Sequence, residues 1–145
     1  MNRPAACLGF VFAFGLLACS SEPAVRVASQ ANGIRCATVR DRIPASEAEP
    51  ILLFHCAQST LETGGRYFRI TGRSSAGVVS NSRQSFTTAT VPEASVCFEA
   101  DSGPASEPAV YDSRLVVLQT DPTLRSRLSA PARQRLEAIE GSAPR

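Results

Sequence analysis

Ile51-Leu52-Leu53-Phe54-His55-Cys56 is the most apolar run in the chain beyond its first nineteen residues. A short unbroken run of this kind suits a strand buried on both faces. Just before it, residues 43–50 hold Pro44 and Pro50 among Ser46, Glu47 and Glu49, and read as a loop. Residues 34–42 carry the β-branched Ile34, Thr38 and Val39 and predict a second strand on the other side of that loop. After the run, Gly64-Gly65 breaks the chain. Residues 67–73 then alternate, with Phe68 and Ile70 on one side and Tyr67, Arg69, Thr71 and Arg73 on the other, as in a half-buried strand. Ser74-Ser75-Ala76-Gly77 reads as a turn, and residues 78–90, with Val, Ser, Thr and Phe86, return as another strand. Val96 and Phe98 mark a strand over 96–100, and residues 101–108 form a Pro/Gly/Ser loop. Leu115-Val116-Val117-Leu118, within 111–119, reads as a buried strand. The fold expected is mainly β, a small antiparallel β-sandwich.

The tail changes period. Asp121 followed by Pro122 fits an N-cap with proline at the first helical position, and Leu124 and Leu128 suit a short helical turn. Residues 130–140 carry Leu136 and Ile139 three apart and Arg133 and Glu137 four apart, before Gly141. A short C-terminal α-helix is expected, one that must pack on the sheet because it is too short to stand alone. Residues 34–145 therefore read as a single β-rich domain ending in the helix 130–140. Val79-Ser80-Asn81-Ser82-Arg83 partly echoes Val110-Tyr111-Asp112-Ser113-Arg114. Residues 68–80, Phe-Arg-Ile-Thr-Gly-Arg-Ser-Ser-Ala-Gly-Val-Val-Ser, resemble the late hairpin of a fibronectin type III module. That resemblance implies a sandwich.

The first nineteen residues have their own logic. Arg3 and the amino terminus make a short positive end, and residues 5–18 follow without a charge. Fourteen residues of helix span roughly 21 Å, short of the ~30 Å hydrocarbon core of a bilayer. The stretch reads as the hydrophobic region of an export signal. Leu16-Leu17-Ala18-Cys19 resembles the lipobox of bacterial lipoprotein signal peptides, although Leu17 is bulkier than the usual middle residue. The resemblance implies removal of residues 1–18 and acylation of Cys19, with 19–33 as a lipidated amino terminus and tether. Within that tether Val25 and Val27 alternate and suit a short edge strand. The rival reading is cleavage after Ser20, which would remove Cys19 and release a soluble protein. Ser20 stands where Asp usually retains such lipoproteins in the inner membrane. By resemblance, export to the outer membrane is expected. One acyl chain anchors only marginally, whereas two or more anchor stably.

Charge excludes some partners. Without Arg3 there are 14 arginines against 13 carboxylates, a formal charge of +1. That lacks the basic excess a nucleic-acid surface needs, so no nucleic-acid partner is expected. No block of like charge makes a polybasic membrane patch. With no Trp and two Tyr, stacking platforms are scarce.

With Cys7 in the signal and Cys19 acylated, Cys36, Cys56 and Cys97 remain. An exported protein meets an oxidising compartment, so a disulfide is expected. Cys36 and Cys56 lie symmetrically about Ser46. In a hairpin centred there they would face each other, closing a loop of roughly 20 residues worth about 3 kcal/mol. The favoured pairing is therefore Cys36 with Cys56. The competitor is Cys36 with Cys97, whose separation of 61 resembles an immunoglobulin-type bridge. The third cysteine is then a buried apolar residue or a link between chains.

His55 is the only histidine and neighbours Cys56. Strand neighbours point to opposite faces, so a Cys/His pair would need Cys97 instead. No metal-ligand spacing, phosphate loop or Gly-x-Ser-x-Gly element occurs, and no cofactor is expected. Two functions follow. One is a non-enzymatic lipoprotein, held to the membrane by its lipid anchor and binding an envelope protein, with the Tyr67, Arg69 and Arg73 face as candidate contacts. The alternative is a small periplasmic hydrolase or thiol enzyme using His55 with a cysteine.

Overall fold

In the strands of this domain every second side chain turns inward, and that period places the core. The computed structural model describes residues 24–76, 90–91, 93–103 and 110–142. Its strands are β1 (Val25–Ser29), β2 (Arg35–Val39), β3 (Ile43–Pro44), β4 (Tyr67–Ala76), β5 (Thr90–Val91), β6 (Glu93–Asp101) and β7 (Val110–Asp112). The helices are α1 (Ala45–Glu62), α2 (Ser113–Gln119), α3 (Pro122–Ser126) and α4 (Ala130–Gly141). Five strands form one antiparallel sheet in the order β1-β2-β6-β4-β7, and β3 pairs with β5 apart from it. Ala37, Val39, Phe68, Ile70, Ala94, Val96 and Phe98 make the buried face of the sheet. The β1–β2 connection turns through Asn32 and Gly33, both at positive φ (67° and 78°), a region that asparagine and glycine enter most readily.

The run Ile51-Leu52-Leu53-Phe54-His55-Cys56 is helical, not extended. It lies in the middle of α1, which crosses the inner face of the sheet and touches β1, β2, β4 and β6. Leu52, Cys56 and Thr60 recur every four residues, as do Ala57 and Leu61, and all five are buried. Pro50 sits inside the helix and removes the N–H that would bond Ser46, at a cost of about 3 kcal/mol. Burying Leu52, Phe54 and Leu61 contributes roughly 1.5–3 kcal/mol each, so packing outweighs the proline. The helix ends where Gly64-Gly65 was expected to break the chain. Gly64, at φ 82°, donates to the Leu61 carbonyl and Gly65 to that of Thr60, both at 2.9 Å. These are the two crossed bonds of a Schellman cap. A Cβ on Gly65 would come within 2.9 Å of Thr60 Cγ2, so the close approach requires glycine.

The expected antiparallel sheet and terminal helix are present, the latter as α4. What covers the sheet is helical, with α1 against it and α2 and α4 packed on α1. The domain is therefore mixed α/β, and helices hold the layer assigned to a second sheet. Leu115-Val116-Val117-Leu118 is likewise helical, in α2, where Asp112 accepts from the Arg114 N–H as N-cap. Only Val117 of those four is fully buried. The stretch 19–33, expected as tether, supplies β1 at the sheet edge. α3 begins at Pro122, with Asp121 as the expected cap.

The disulfide pairing is also corrected. Cys36 is bonded to Cys97, and Cys56 is a free buried thiol. Cys36 and Cys97 face each other in the β2–β6 register with Cα atoms 4.0 Å apart. Arg35 turns to α1, donating to Ser59, so the alternation turns Cys36 to the opposite face. Cys56 reaches the core from α1, and the sheet separates it from Cys36. The hairpin about Ser46 does not exist, because Ser46 is in α1.

The expected export signal 1–18, Cys19, the strand expected over 78–90 except Thr90, and the first copy of the internal echo lie outside the described residues. So does the end of the fibronectin-like segment.

Candidate functional site

Three helices and the edge strand β7 line a groove of about 320 Å³, formed by Pro50 and Leu53 of α1, Tyr111 of β7, Val116 and Gln119 of α2, and Leu124 of α3, with Thr120 and Asp121 between. Sequence dictates each wall. Leu53 sits on the α1 flank turned from the sheet and is half-buried, between the fully buried Leu52 and Phe54. Val116, Gln119 and Thr120 share one side of α2 by their i, i+3, i+4 spacing. Thr120 ends that helix, its hydroxyl donating to the Val116 carbonyl at 2.7 Å. Asp121 then starts α3, accepting from the Thr123 N–H at 2.8 Å. That backbone bond is the main reason the Asp121 carboxyl titrates below its usual range.

Tyr111 forms the floor. Its ring stacks on Phe68 with centroids 5.4 Å apart, and its hydroxyl accepts from Arg73 Nη2 at 2.9 Å. Arg73 Nε donates to Glu49 at 3.2 Å, so a polar chain runs from Tyr111 through Arg73 to Glu49, the residue before Pro50 of the groove. Outside the groove, Leu115 and Leu118 of α2 are 48% and 40% exposed. They are three residues apart and form one apolar stripe.

The helix is held in place by a buried carboxylate. Asp112 accepts from Arg66 Nε and Nη2 at 3.1 and 3.0 Å and from the Arg114 N–H at 2.9 Å. The Ser113 N–H donates to the Arg66 carbonyl at 2.9 Å. One side chain thus joins the start of β4 to the start of α2. The Asp112 hydrogen bond, the largest cause, raises the pKa of Arg66.

The expected contact face of Tyr67, Arg69 and Arg73 is divided. A register shift between Ile70 and Gly72 adds one residue to β4. This bulge turns Arg73 to the helical side, where it meets Glu49 and Tyr111. Arg69 stays on the other face, paired with Asp101 at 3.0 Å. Tyr67 lies under the Arg66 guanidinium.

His55 and Cys56 are sequential residues of α1. Burial is the main influence that lowers the His55 pKa, with the Glu62 charge opposing. Among the described residues His55 makes no hydrogen bond to a thiol or hydroxyl. Burial pushes the Cys56 thiol up to about 12, against the pull of Arg35. A thiol nucleophile needs the reverse, a depressed pKa and access to solvent. The Cys97 sulfur is committed to Cys36. Thiol chemistry thus has no thiolate at these positions.

Among the described residues no three His, Cys, Asp or Glu side chains converge to hold a metal ion, and no helix is long and apolar enough to cross a membrane. The groove escaped sequence reading because two of its walls, α1 and α2, read as strands. Its one legible signal was the Asp121-Pro122 cap. No family model, curated protein or solved structure matches this chain.

Proposed function

We propose that the chain is a lipoprotein of the bacterial outer membrane, anchored through acylated Cys19 and facing the periplasm, whose domain is a non-enzymatic binding module for another envelope protein. The observation that carries the binding half is the apolar stripe of Leu115 and Leu118 on the helix that also walls the Tyr111 groove. Scattered apolar side chains on a surface are ordinary, but a stripe beside an apolar groove suits an interface. Tyr111, Gln119, Thr120 and Asp121 supply polar groups in the lining that would fix orientation. The anchoring half rests on the resemblance of Leu16-Leu17-Ala18-Cys19 to a lipobox.

The test uses a photo-crosslinking amino acid in place of Leu115 or Leu118 in the full chain, in cells. One discrete protein adduct from each position, absent when Arg26 carries the crosslinker, is expected. A ladder of unspecific products, or none, would overturn the binding role. Intact mass of the membrane-extracted chain checks the anchor. Loss of residues 1–18 with added acyl mass is expected, and a mature chain starting after Ser20 would refute it.

A further inference from the structure

The geometry points to a second surface: the outer face of the β1–β2 hairpin rests on anionic phospholipid headgroups, with a headgroup phosphate between Arg26 and Arg40. This inference rests on the acylation of Cys19 proposed above. A shallow cavity of about 340 Å³ opens on that face, lined by Ala24, Arg26, Ala28, Thr38 and Arg40. The register sets Arg26 beside Thr38 and Ala28 beside Cys36, on the side turned away from α1. Among the described residues no acidic side chain lines it. Among the described residues, Asp41 accepts from the Ala24 N–H at 2.6 Å and Glu93 lies 3.9 Å from Arg40 Nε. Arg26 has no ion-pair partner among the described residues.

Chain length brings this face to lipid. Ala24 is five residues beyond Cys19, and five extended residues reach at most about 18 Å. With acyl chains inserted at Cys19, the start of β1 stays close to the headgroup layer, where surface charge is felt within about a Debye length. Guanidinium forks match phosphate oxygens, the Thr38 hydroxyl adds a donor, and the small Ala24 and Ala28 leave room for the arginine stems to lie flat. Each arginine near an anionic surface strengthens binding roughly fivefold. β1 and β7 are opposite edges of the sheet. With β1 on the membrane, the groove beside β7 is held toward the periplasm.

The test places a photo-crosslinking amino acid at Ala28 in the full acylated chain. The chain is reconstituted in phosphatidylethanolamine vesicles containing phosphatidylglycerol, or in phosphatidylcholine alone. Phospholipid adducts at position 28 with the anionic vesicles are expected, with none from Leu118. The yield should fall at least about fivefold in phosphatidylcholine and in the double variant Arg26→Glu, Arg40→Glu. Acylation of every sample is read from intact mass. If acylated protein gives no adduct at Ala28, or if the yield ignores both lipid charge and the double variant, the docking face is refuted while the anchor stands. If Cys19 carries no acyl group, anchor and docking face fall together.

Discussion

α1 and α2 begin from the same kind of sequence, a short apolar run, and end in opposite environments. In α1, Leu52, Phe54, Cys56, Ala57 and Leu61 are all withdrawn from water against the sheet. In α2, Val117 alone of four consecutive apolar residues is fully buried, and two leucines face solvent. Length explains part of this. Eighteen residues give α1 five turns, enough to cross four strands, whereas the seven of α2 give two. α1 is therefore a structural helix whose apolar residues carry the core. α2 is pinned by its cap and presents what it does not bury. Selective damage to either side tests that contrast.

The largest loss is expected from α1. Phe54→Ala removes a 1% exposed aromatic ring and should cost about 3–5 kcal/mol, read by urea denaturation. A cost under about 1 kcal/mol would mean that α1 does not pack as described. Replacing both Cys36 and Cys97 with Ala opens a link across a separation of 61 residues and should cost about 4 kcal/mol by loop entropy. Cys56→Ala spares the disulfide. With residues 1–18 removed and Cys19 acylated, the single-variant chain should contain no free thiol in denaturant, which a thiol titration reads directly. Two free thiols there would return the pairing to Cys36 with Cys56.

Asp112→Ala tests the pin at the start of α2. It removes an N-cap, worth about 1 kcal/mol, and leaves the part-exposed Arg66 without its partner. A loss of roughly 1–2 kcal/mol is expected, with Asp112→Asn recovering part of it because the amide oxygen still caps. Equal losses in both variants would show that the charge, not the cap, matters.

A smaller effect concerns pH. The His55 pKa is lowered in the folded chain, mainly by burial, so the unfolded chain binds the proton more readily. Stability from this group is full above about 6.5, the unfolded value, and falls as pH drops below it toward the folded pKa. His55→Gln should flatten the stability profile in that window and leave it unchanged above pH 7.5. Denaturation midpoints across that range decide the matter, and an unaltered slope would mean that His55 is as protonatable folded as unfolded.

The legible parts of the fold had local causes. β6 sets Val96 and Phe98 two apart on one face, Asp121-Pro122 is a complete start signal, and Gly64-Gly65 is a complete stop. The illegible parts needed a wider window or a distant partner. Six residues from Ile51 fit a strand or a helix equally well. The fourfold spacing of Leu52, Cys56 and Thr60 decides it, but appears only beyond Cys56, and Pro50 hid the upstream turn. Two β-branched valines concealed α2, although Asp112-Ser113 carried its cap. The cysteine error descended from the α1 error, since a hairpin about Ser46 was its only support. Arg73 changed sides because of a bulge, and its sequence neighbours carry no mark of that shift. The groove needs α1 and α2 both placed correctly, so it was beyond reach.

The smallest expected change in stability separates the two helices most sharply. Leu115→Ser and Leu118→Ser remove apolar surface that is already 48% and 40% in water. Surface substitutions away from caps and core typically move stability by no more than about 0.5 kcal/mol. The double variant should therefore denature within about 1 kcal/mol of the parent chain. If the stripe is an interface, the same two changes should abolish the discrete crosslinked adduct read from Val116, which lines the adjoining groove. Lost stability with a retained adduct would make Leu115 and Leu118 ordinary supports of α2, and the contrast with α1 would reduce to helix length. Unchanged stability with a lost adduct assigns them to a partner, because two apolar side chains that the fold does not need would then be needed for the contact.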